Sequence, residues 1–147
     1  MEHTQLTARV VHGLCCRTSH ATAKDDIGPL WAKVAASGVL EGQQQAIAVY
    51  HDYEVRPDGY EVTVTVGLEV DADAAVPEGM ARVEVPAQRC ARWKTDGSVE
   101  QVMGAWQEVW AQWPDGGPRS FGADVEIWEQ GPSGTPSGAQ VYVGVRS

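Results

Sequence analysis

The chain has few basic residues and no long apolar run. It contains 11 lysines and arginines against 20 aspartates and glutamates, so its formal net charge is −9. The basic residues are scattered, which argues against nucleic acid and anionic membrane surfaces, because both are bound through clustered lysine and arginine. No segment approaches the roughly 20 apolar residues of a membrane span. The N-terminus lacks the basic and apolar blocks of a signal peptide, so we expect a cytoplasmic, bacterial-type protein.

The sequence also lacks the cysteine, histidine and glycine motifs that are typical of disulfide, metal or phosphate sites. The cysteines are Cys15, Cys16 and Cys90, an odd set without the spacing of a disulfide framework. No CxxC or HxxxH spacing predicts a zinc site, and no glycine-rich loop with a lysine predicts a phosphate site. A serine nucleophile elbow is absent as well. We therefore predict no metal and no cofactor, in a reducing compartment.

What the chain does contain is enough apolar surface for a folded core. Of its 147 residues 43% are hydrophobic, and they include 6 tryptophans but 1 phenylalanine. This length fits a single domain over residues 1–147, as a monomer or weak dimer. Apolar spacing predicts helices over 25–36 and 98–113. Alternation and turn residues predict extended segments over 5–17 (kinked at Gly13), 44–53, 60–70, 80–95 (broken at Pro86), 122–129 and 139–146.

The predicted elements occur twice in the same order. Strand, helix, strand and strand cover about residues 4–70 and again 80–146, and Val66-Gly67-Leu68 recurs as Val143-Gly144-Val145. Residues 71–79 would form the linker. Such an order is typical of an α+β fold, in which an antiparallel sheet carries its helices on one face. We therefore predict a duplicated βαββ unit with two helices packed on the sheet.

Alternation along the predicted strands separates an aliphatic face from an aromatic one. The aliphatic face is expected to pack against the two helices, and it carries Ile47, Val49, Val62, Val64, Val66 and Leu68. The opposite face mixes aromatics, glycines and carboxylates, and it carries Tyr50, Thr63, Thr65, Gly67, Glu69, Glu126, Trp128, Tyr142 and Gly144. Glycines inside strands indicate that another group approaches the sheet closely there. The second face is therefore the candidate site.

The candidate site combines aromatic rings with one carboxylate. Aromatic faces attract cations, and a carboxylate in a partly dry site adds Coulomb attraction, so this set is typical of a site for an organic cation. Glu126 supplies the charge, and its counterpart in the first repeat is Ala48, so the duplication is broken there. The alternative is that the rings only cover the sheet and that the acidic charge serves solubility. The candidate ligand-binding residues are Glu126, Trp128, Tyr50, Tyr142, Trp110 and Trp93.

Segments that carry a family resemblance run through nearly the whole chain. They are IGPLWAKV (27–34), VYHDYE (49–54), YEVTVTVGLEV (60–70), VEVPAQRCARWKTDG (83–97), VMGAWQEVWAQWPDG (102–116), FGADVEIWE (121–129) and VYVGV (141–145). In order and spacing they resemble the GyrI-like small-molecule-binding family, the effector-binding domains of AraC-type and MerR-type transcription regulators. The resemblance implies two βαββ modules related by a pseudo-twofold axis, with a groove between them that binds lipophilic cations.

The resemblance also implies roles for individual residues. The acidic ligand-binding residue of the family maps onto Glu126, and the aromatic two positions later, commonly tyrosine, is Trp128 here. This exchange keeps an aromatic wall but removes a phenol hydroxyl. The tryptophans of the family's AWxxxW helix pattern correspond to Trp106 and Trp110. The regulators carry a helix-turn-helix before this domain, whereas here the domain begins near Met1, so we expect a stand-alone module.

Three functions remain open at this point. The first is a module that binds a cationic drug or metabolite, with Glu126 as its counter-charge. The second is a hydrolase of a strained ring or reactive amine, in which Glu126 acts as general acid or base beside Tyr50 or Tyr142. The third is a protein-interaction module of the gyrase-inhibitor type, which binds its partner through the acidic surface.

Overall fold

The computed structural model describes residues 1–130 and 136–146, which form eight strands and two helices. The strands are β1 (Glu2–Leu6), β2 (Arg9–Ser19), β3 (Gln45–Arg56), β4 (Gly59–Val70), β5 (Ala81–Val85), β6 (Gln88–Thr95), β7 (Ala123–Gln130) and β8 (Pro136–Gly144). The helices are α1 (Ala23–Ser37) and α2 (Val99–Gln112). The predicted α+β architecture, with two helices on an antiparallel sheet, is confirmed. In the described part of the chain no helix is long and apolar enough to cross a membrane.

All the strands belong to one antiparallel sheet, in which the two halves repeat each other about a central axis. The order is β1-β6-β8-β7-β3-β4-β2-β5, so β7 and β3 meet in the middle. From one edge to the middle the order is β1, β6, β8 and β7, and from the other edge it is β5, β2, β4 and β3. The equivalent strands of the two halves therefore occupy equivalent places. The short first strand of each half pairs with the other half, β1 with β6 and β5 with β2. The two repeats are therefore interlocked within one sheet.

The N-terminal extended segment differs from its prediction. Instead of one strand over 5–17, the structure has two strands with a break after Leu6. Gly13 makes no kink and pairs directly with Gly67 inside the long β2–β4 ladder. A Cβ on Gly13 would lie 2.2 Å from the carbonyl oxygen of Val66, so only glycine fits there. The close approach that strand glycines predict is made here by the neighbouring backbone.

Local sequence explains where the helices begin and end. Ser98 caps α2 by accepting a hydrogen bond from the backbone N–H of Gln101 at 3.2 Å. The side chain of Gln101 accepts in turn from the backbone N–H of Asp96 at 2.9 Å, which ties the preceding loop to the helix. α1 ends at Ser37, and the next residue, Gly38, has a φ of 80°, a left-handed conformation that glycine adopts without strain.

The central strands are buried on both faces, and this changes the predicted assignment of faces. The helices cover the face that carries Val62, Val64, Val66, Val141 and Val143. Ile47 and Val49 point to the opposite face, because the register pairs them with Ile127 and Val125. They belong there to a second core, which the edge strands β1 and β5 help to close. The prediction that one aliphatic set faces the helices is therefore wrong for Ile47 and Val49.

Three residues of the candidate site, Tyr50, Glu126 and Trp128, also lie on the face opposite to the one that alternation predicts. Tyr50 pairs with Val64, and Glu126 pairs with Val141, so both residues share the face beneath the helices. Trp128 lies two residues beyond Glu126 and therefore points the same way. The candidate site thus lies between the sheet and the helices, and not on the uncovered face that alternation predicts.

Candidate functional site

A groove of about 960 Å³ opens between the two helices, above the centre of the sheet. Its walls include Trp31 of α1 and Trp106 of α2, and its floor includes Tyr50 of β3 with Glu126 and Trp128 of β7. Because β3 and β7 are the middle strands, residues of both halves contribute to the same floor. The lining is mostly apolar, which is typical of sites for small molecules.

Glu126 lies at the bottom of the groove and is 3% exposed. Its Oε2 accepts hydrogen bonds from the hydroxyl of Tyr50 at 2.8 Å and from Nε1 of Trp106 at 2.7 Å. Its Oε1 accepts a third from Nε1 of Trp128 at 2.9 Å. The indole N–H of Trp128 thus supplies a donor at the position where the sequence resemblance implies a tyrosine hydroxyl. Three aromatic side chains hold one carboxylate in a fixed orientation.

Burial raises the pKa of the Glu126 carboxyl above its ordinary value of 4.5. The three hydrogen bonds oppose this shift, because each of them favours the charged form. The phenol of Tyr50 has its pKa raised well above 10, by burial and by the adjacent carboxylate. Tyr50 therefore stays protonated at neutral pH and keeps donating its hydrogen bond to Glu126.

Aromatic contacts across the groove link the two halves. The ring of Trp31 meets that of Trp128 edge-on with centroids 5.5 Å apart, and the ring of Trp106 packs against that of Tyr50 at 5.2 Å. In each contact the tryptophan of one helix packs on the central-strand aromatic of the other half. Trp110 stacks on Trp106 at 6.3 Å and leaves 42% of its surface exposed at the groove.

Tyr53 is a groove residue that sequence reasoning missed. A bulge between His51 and Glu54 shifts the register of β3, and Asp52 within it has a φ of 54°. The extra residue turns Tyr53 to the helix-covered face, where its hydroxyl donates to Oδ2 of Asp124 at 2.6 Å. The one sequence signal is an aspartate at the bulge, since aspartate tolerates positive φ better than most residues.

Asp124 anchors a buried network beside the groove. It is fully buried and also accepts hydrogen bonds from Nη2 of Arg119 at 2.8 Å and from the backbone N–H of Gly144 at 2.9 Å. Arg119 is 4% exposed, and its guanidinium lies 4.3 Å from the centroid of Phe121. Burial raises the pKa of Tyr53 well above 10, so its phenol remains a donor. The network fixes the position of Tyr53 at the groove.

The structure brings together only part of the predicted site. The predicted residues that line the groove are Tyr50, Trp110, Glu126 and Trp128. Tyr142 lies on the opposite face against the second core, and its hydroxyl donates to Oε1 of Gln140 at 2.8 Å. Trp93 is 5% exposed and packs edge-on against Trp113 in the core beneath α2. The predictions that place Tyr142 and Trp93 at the pocket are therefore wrong.

The groove offers aromatic and hydrogen-bonding chemistry rather than metal ligands. Across residues 1–130 and 136–146, no group of three or more histidine, cysteine, aspartate or glutamate side chains is placed to hold a metal ion. The thiol of Cys90 is buried in the second core, and burial raises its pKa to about 12, so it stays protonated. The arrangement can instead hold a positive charge against Glu126 between aromatic rings.

The eight-stranded antiparallel sheet under two helices is also found in solved structures of other proteins. The fold is similar to that of SAV2435 bound to tetraphenylphosphonium, with a TM-score of 0.77 and 13% identity over 99% of this chain and 93% of the other. The integron cassette protein VCH_CASS2, from the mobile metagenome of Vibrio cholerae, gives a TM-score of 0.76 and 20% identity over 99% and 95%. At these identities the likeness shows the fold alone.

The family model of Cass2, integron-associated effector binding protein, matches residues 4–145, so the chain belongs to this GyrI-like family. The resemblance drawn from the sequence segments is confirmed. A curated relative is the transcriptional regulator BrlR of Pseudomonas aeruginosa, which is 33% identical over 94 residues. The match covers 59% of this chain and 32% of the regulator, so the chain spans about a third of that relative's length.

Proposed function

We propose that this chain binds a lipophilic organic cation in the groove, with Glu126 as the counter-charge. Glu126 itself carries the proposal. It is 3% exposed, and its three hydrogen-bond partners are neutral donors. Within the described residues it forms no ion pair. A buried charge without an opposite charge is costly, and a bound cation removes that cost.

The walls of the groove suit the same ligand. The rings of Tyr50, Trp106, Trp110 and Trp128 line the same groove as the carboxylate, and each cation–π contact contributes roughly 0.5–2 kcal/mol, depending on how dry the site is. The volume of about 960 Å³ lies within the range of pockets for drug-sized molecules. The binding of tetraphenylphosphonium by SAV2435, which has a similar fold, supports an organic cation as the ligand class.

The proposal is limited to ligand binding by an effector-binding module. The match to BrlR, a transcriptional regulator, supports an effector role, but it covers 32% of that protein. The net charge of −9 does not favour DNA binding by this chain itself. The chain would therefore sense or sequester its ligand, and any effect on transcription would need a further component.

The proposal is tested by titrating the protein with tetraphenylphosphonium and with neutral triphenylphosphine oxide, while tryptophan fluorescence is followed. The rings of Trp106 and Trp128 line the site, so an occupant is expected to change their emission. We expect saturable binding of the cation, at least about tenfold tighter than that of the neutral compound, since one charge in a partly dry site is worth that much. Equal affinities, or no response to either compound, would contradict the proposal.

A second candidate is hydrolysis, which one contact favours. The hydroxyl of Tyr50 and the carboxyl of Glu126 are 2.8 Å apart in a site where burial raises the pKa of Glu126. A carboxyl of raised pKa beside a phenol is the arrangement that general acid catalysis uses. Mass spectrometry of the ligand after long incubation separates the two functions. Binding returns the ligand unchanged, whereas hydrolysis gives a ring-opened product heavier by one water, or two fragments whose masses sum to the ligand plus one water.

A further inference from the structure

The groove departs from the pseudo-twofold symmetry of the fold, and the departure is seen in the side chains that α1 and α2 contribute to its walls. Trp31 of α1 and Trp106 of α2 are equivalent, because each packs on the central-strand aromatic of the other half. Val34 and Val109 then correspond as well, since each lies three residues further along its helix and is fully buried. The two helices can therefore be compared position by position along the groove.

The comparison gives a bulky wall on α2 and a small one on α1. Three residues before the equivalent tryptophans, α1 has Gly28 where α2 has Met103, and four residues after them α1 has Ala35 where α2 has Trp110. All four residues line the groove. Met103 and Trp110 leave 40% and 42% of their surface exposed. A Cβ built on Gly28 meets no atom of the described chain within 4 Å, so the space beside α1 is open.

The charged residues of the groove also differ between its two halves, as the bulky residues do. Glu126 and Ala48 are direct cross-strand partners at the centre of the sheet, so a single carboxylate stands beside the axis. Lys24 lines the α1 side of the groove and offers no attraction to a second positive charge there. Glu129 also lines the groove, but its side chain is exposed and is screened by solvent. The charged centre of a ligand is therefore drawn to the buried Glu126, and whatever lies along α1 is best neutral and apolar.

The structure assigns Gly28 and Ala35 as the residues that determine which cations the groove accepts. The ligand class is a monovalent, unsymmetrical cation, whose charged centre lies at Glu126 and whose flat apolar body extends along α1. That body would lie over Gly28 and Ala35 and would cover the exposed faces of Met103 and Trp110. The inference rests on the proposed function, because it takes the occupant of the groove to be a cation.

The test transfers the side chains of α2 onto α1, in the variants Gly28→Met and Ala35→Trp. The probes are N-methylacridinium, a flat tricyclic cation, and phenyltrimethylammonium, a small one, each titrated against the wild-type protein and both variants. We expect each variant to bind the acridinium about tenfold more weakly or worse, because its body meets the new side chain. Binding of the small cation should change by less than about threefold, since it fits beside Glu126 alone.

Folding does not limit the test. The Cβ of residue 28 points into open space, and methionine favours a helix more than glycine does. Ala36→Met is the matched control, because Ala36 is exposed on the same helix and does not line the groove. Thermal melting of every variant verifies that the fold is intact.

The possible outcomes distinguish a failure of this inference from a failure of the proposed cation binding. A loss confined to the acridinium in both groove variants, with Ala36→Met unchanged, supports the assignment. Equal changes for the two cations, or none for either, would overturn it while leaving cation binding in place. If the wild-type protein binds neither cation, the proposed function itself fails, and the assignment of Gly28 and Ala35 fails with it.

Discussion

Replacing Glu126 with glutamine is expected to weaken the binding of tetraphenylphosphonium by roughly 10- to 100-fold. A unit positive charge about 5 Å from a carboxylate is attracted by about 3 kcal/mol at an effective dielectric constant of about 20. Part of this attraction is offset by the cost of keeping the carboxylate charged in a dry site. Binding of neutral triphenylphosphine oxide should change by less than about threefold, because the aromatic walls stay in place. Fluorescence titration of both compounds gives the comparison.

Glu129→Gln is the matched control for this substitution. Glu129 also lines the groove and carries the same charge, but its side chain is exposed, so solvent and salt screen it. We expect its loss to change the affinity for the cation by less than about threefold. If Glu126→Gln weakens the binding of both compounds equally, the carboxylate acts through the shape of the groove and not through its charge.

Replacing Asp124 with alanine is expected to lower the free energy of unfolding by about 3–5 kcal/mol. The substitution leaves the guanidinium of Arg119 buried without its carboxylate, and it also removes the acceptor of Tyr53 and of the Gly144 N–H. Domains of this size are stable by about 5–15 kcal/mol, so the loss is a large share of the total. Urea unfolding, followed by tryptophan fluorescence, measures it.

Two further variants show whether burial is the cause. Glu69→Ala removes the carboxylate partner of Arg9, an ion pair in which the glutamate is 48% exposed, and it should cost at most about 1 kcal/mol. Adding Arg119→Met to Asp124→Ala should recover part of the stability, because no buried charge is then left unpaired. A loss below about 1 kcal/mol for Asp124→Ala alone would contradict the role of the network.

The elements could be predicted because their signals are local. The apolar spacing that predicts α2 acts within a few residues, and so do the cap at Ser98 and the left-handed Gly38 that the structure shows. The sequence also singles out Glu126, because this carboxylate takes the place of Ala48 of the first repeat. The repeat also predicts the order of strands and helix along the chain within each half.

The faces and the rest of the site could not be predicted, because they depend on contacts between distant strands. Alternation separates faces only where one side is polar. Because β3 is buried on both sides, alternation alone predicts the wrong face for Ile47 and Tyr50. The prediction for Tyr142 is wrong for the same reason, because β8 is also packed on both of its faces. The bulge that turns Tyr53 inward adds one residue to the strand and reverses the alternation beyond it. Its partner Asp124 becomes a neighbour only through the β3–β7 pairing.

If the charge of Glu126 holds the ligand, the affinity for a cation must depend on the protonation of this carboxyl group. Burial raises the pKa of Glu126 in the empty site, and a bound cation favours the charged form and lowers that pKa again. Binding therefore displaces a proton, and the affinity should fall as the pH drops through the raised pKa, by up to about tenfold per unit.

The measurement is the affinity for tetraphenylphosphonium in the wild-type protein and in Glu126→Gln, from neutral pH down to the ordinary carboxyl range. The other titratable groups at the groove, His20, Lys24 and Glu129, are present in both proteins, so the difference isolates Glu126. We predict a falling affinity in the wild-type protein and a nearly constant, weaker one in the variant. Parallel pH profiles for the two proteins would mean that the charge of Glu126 does not hold the cation.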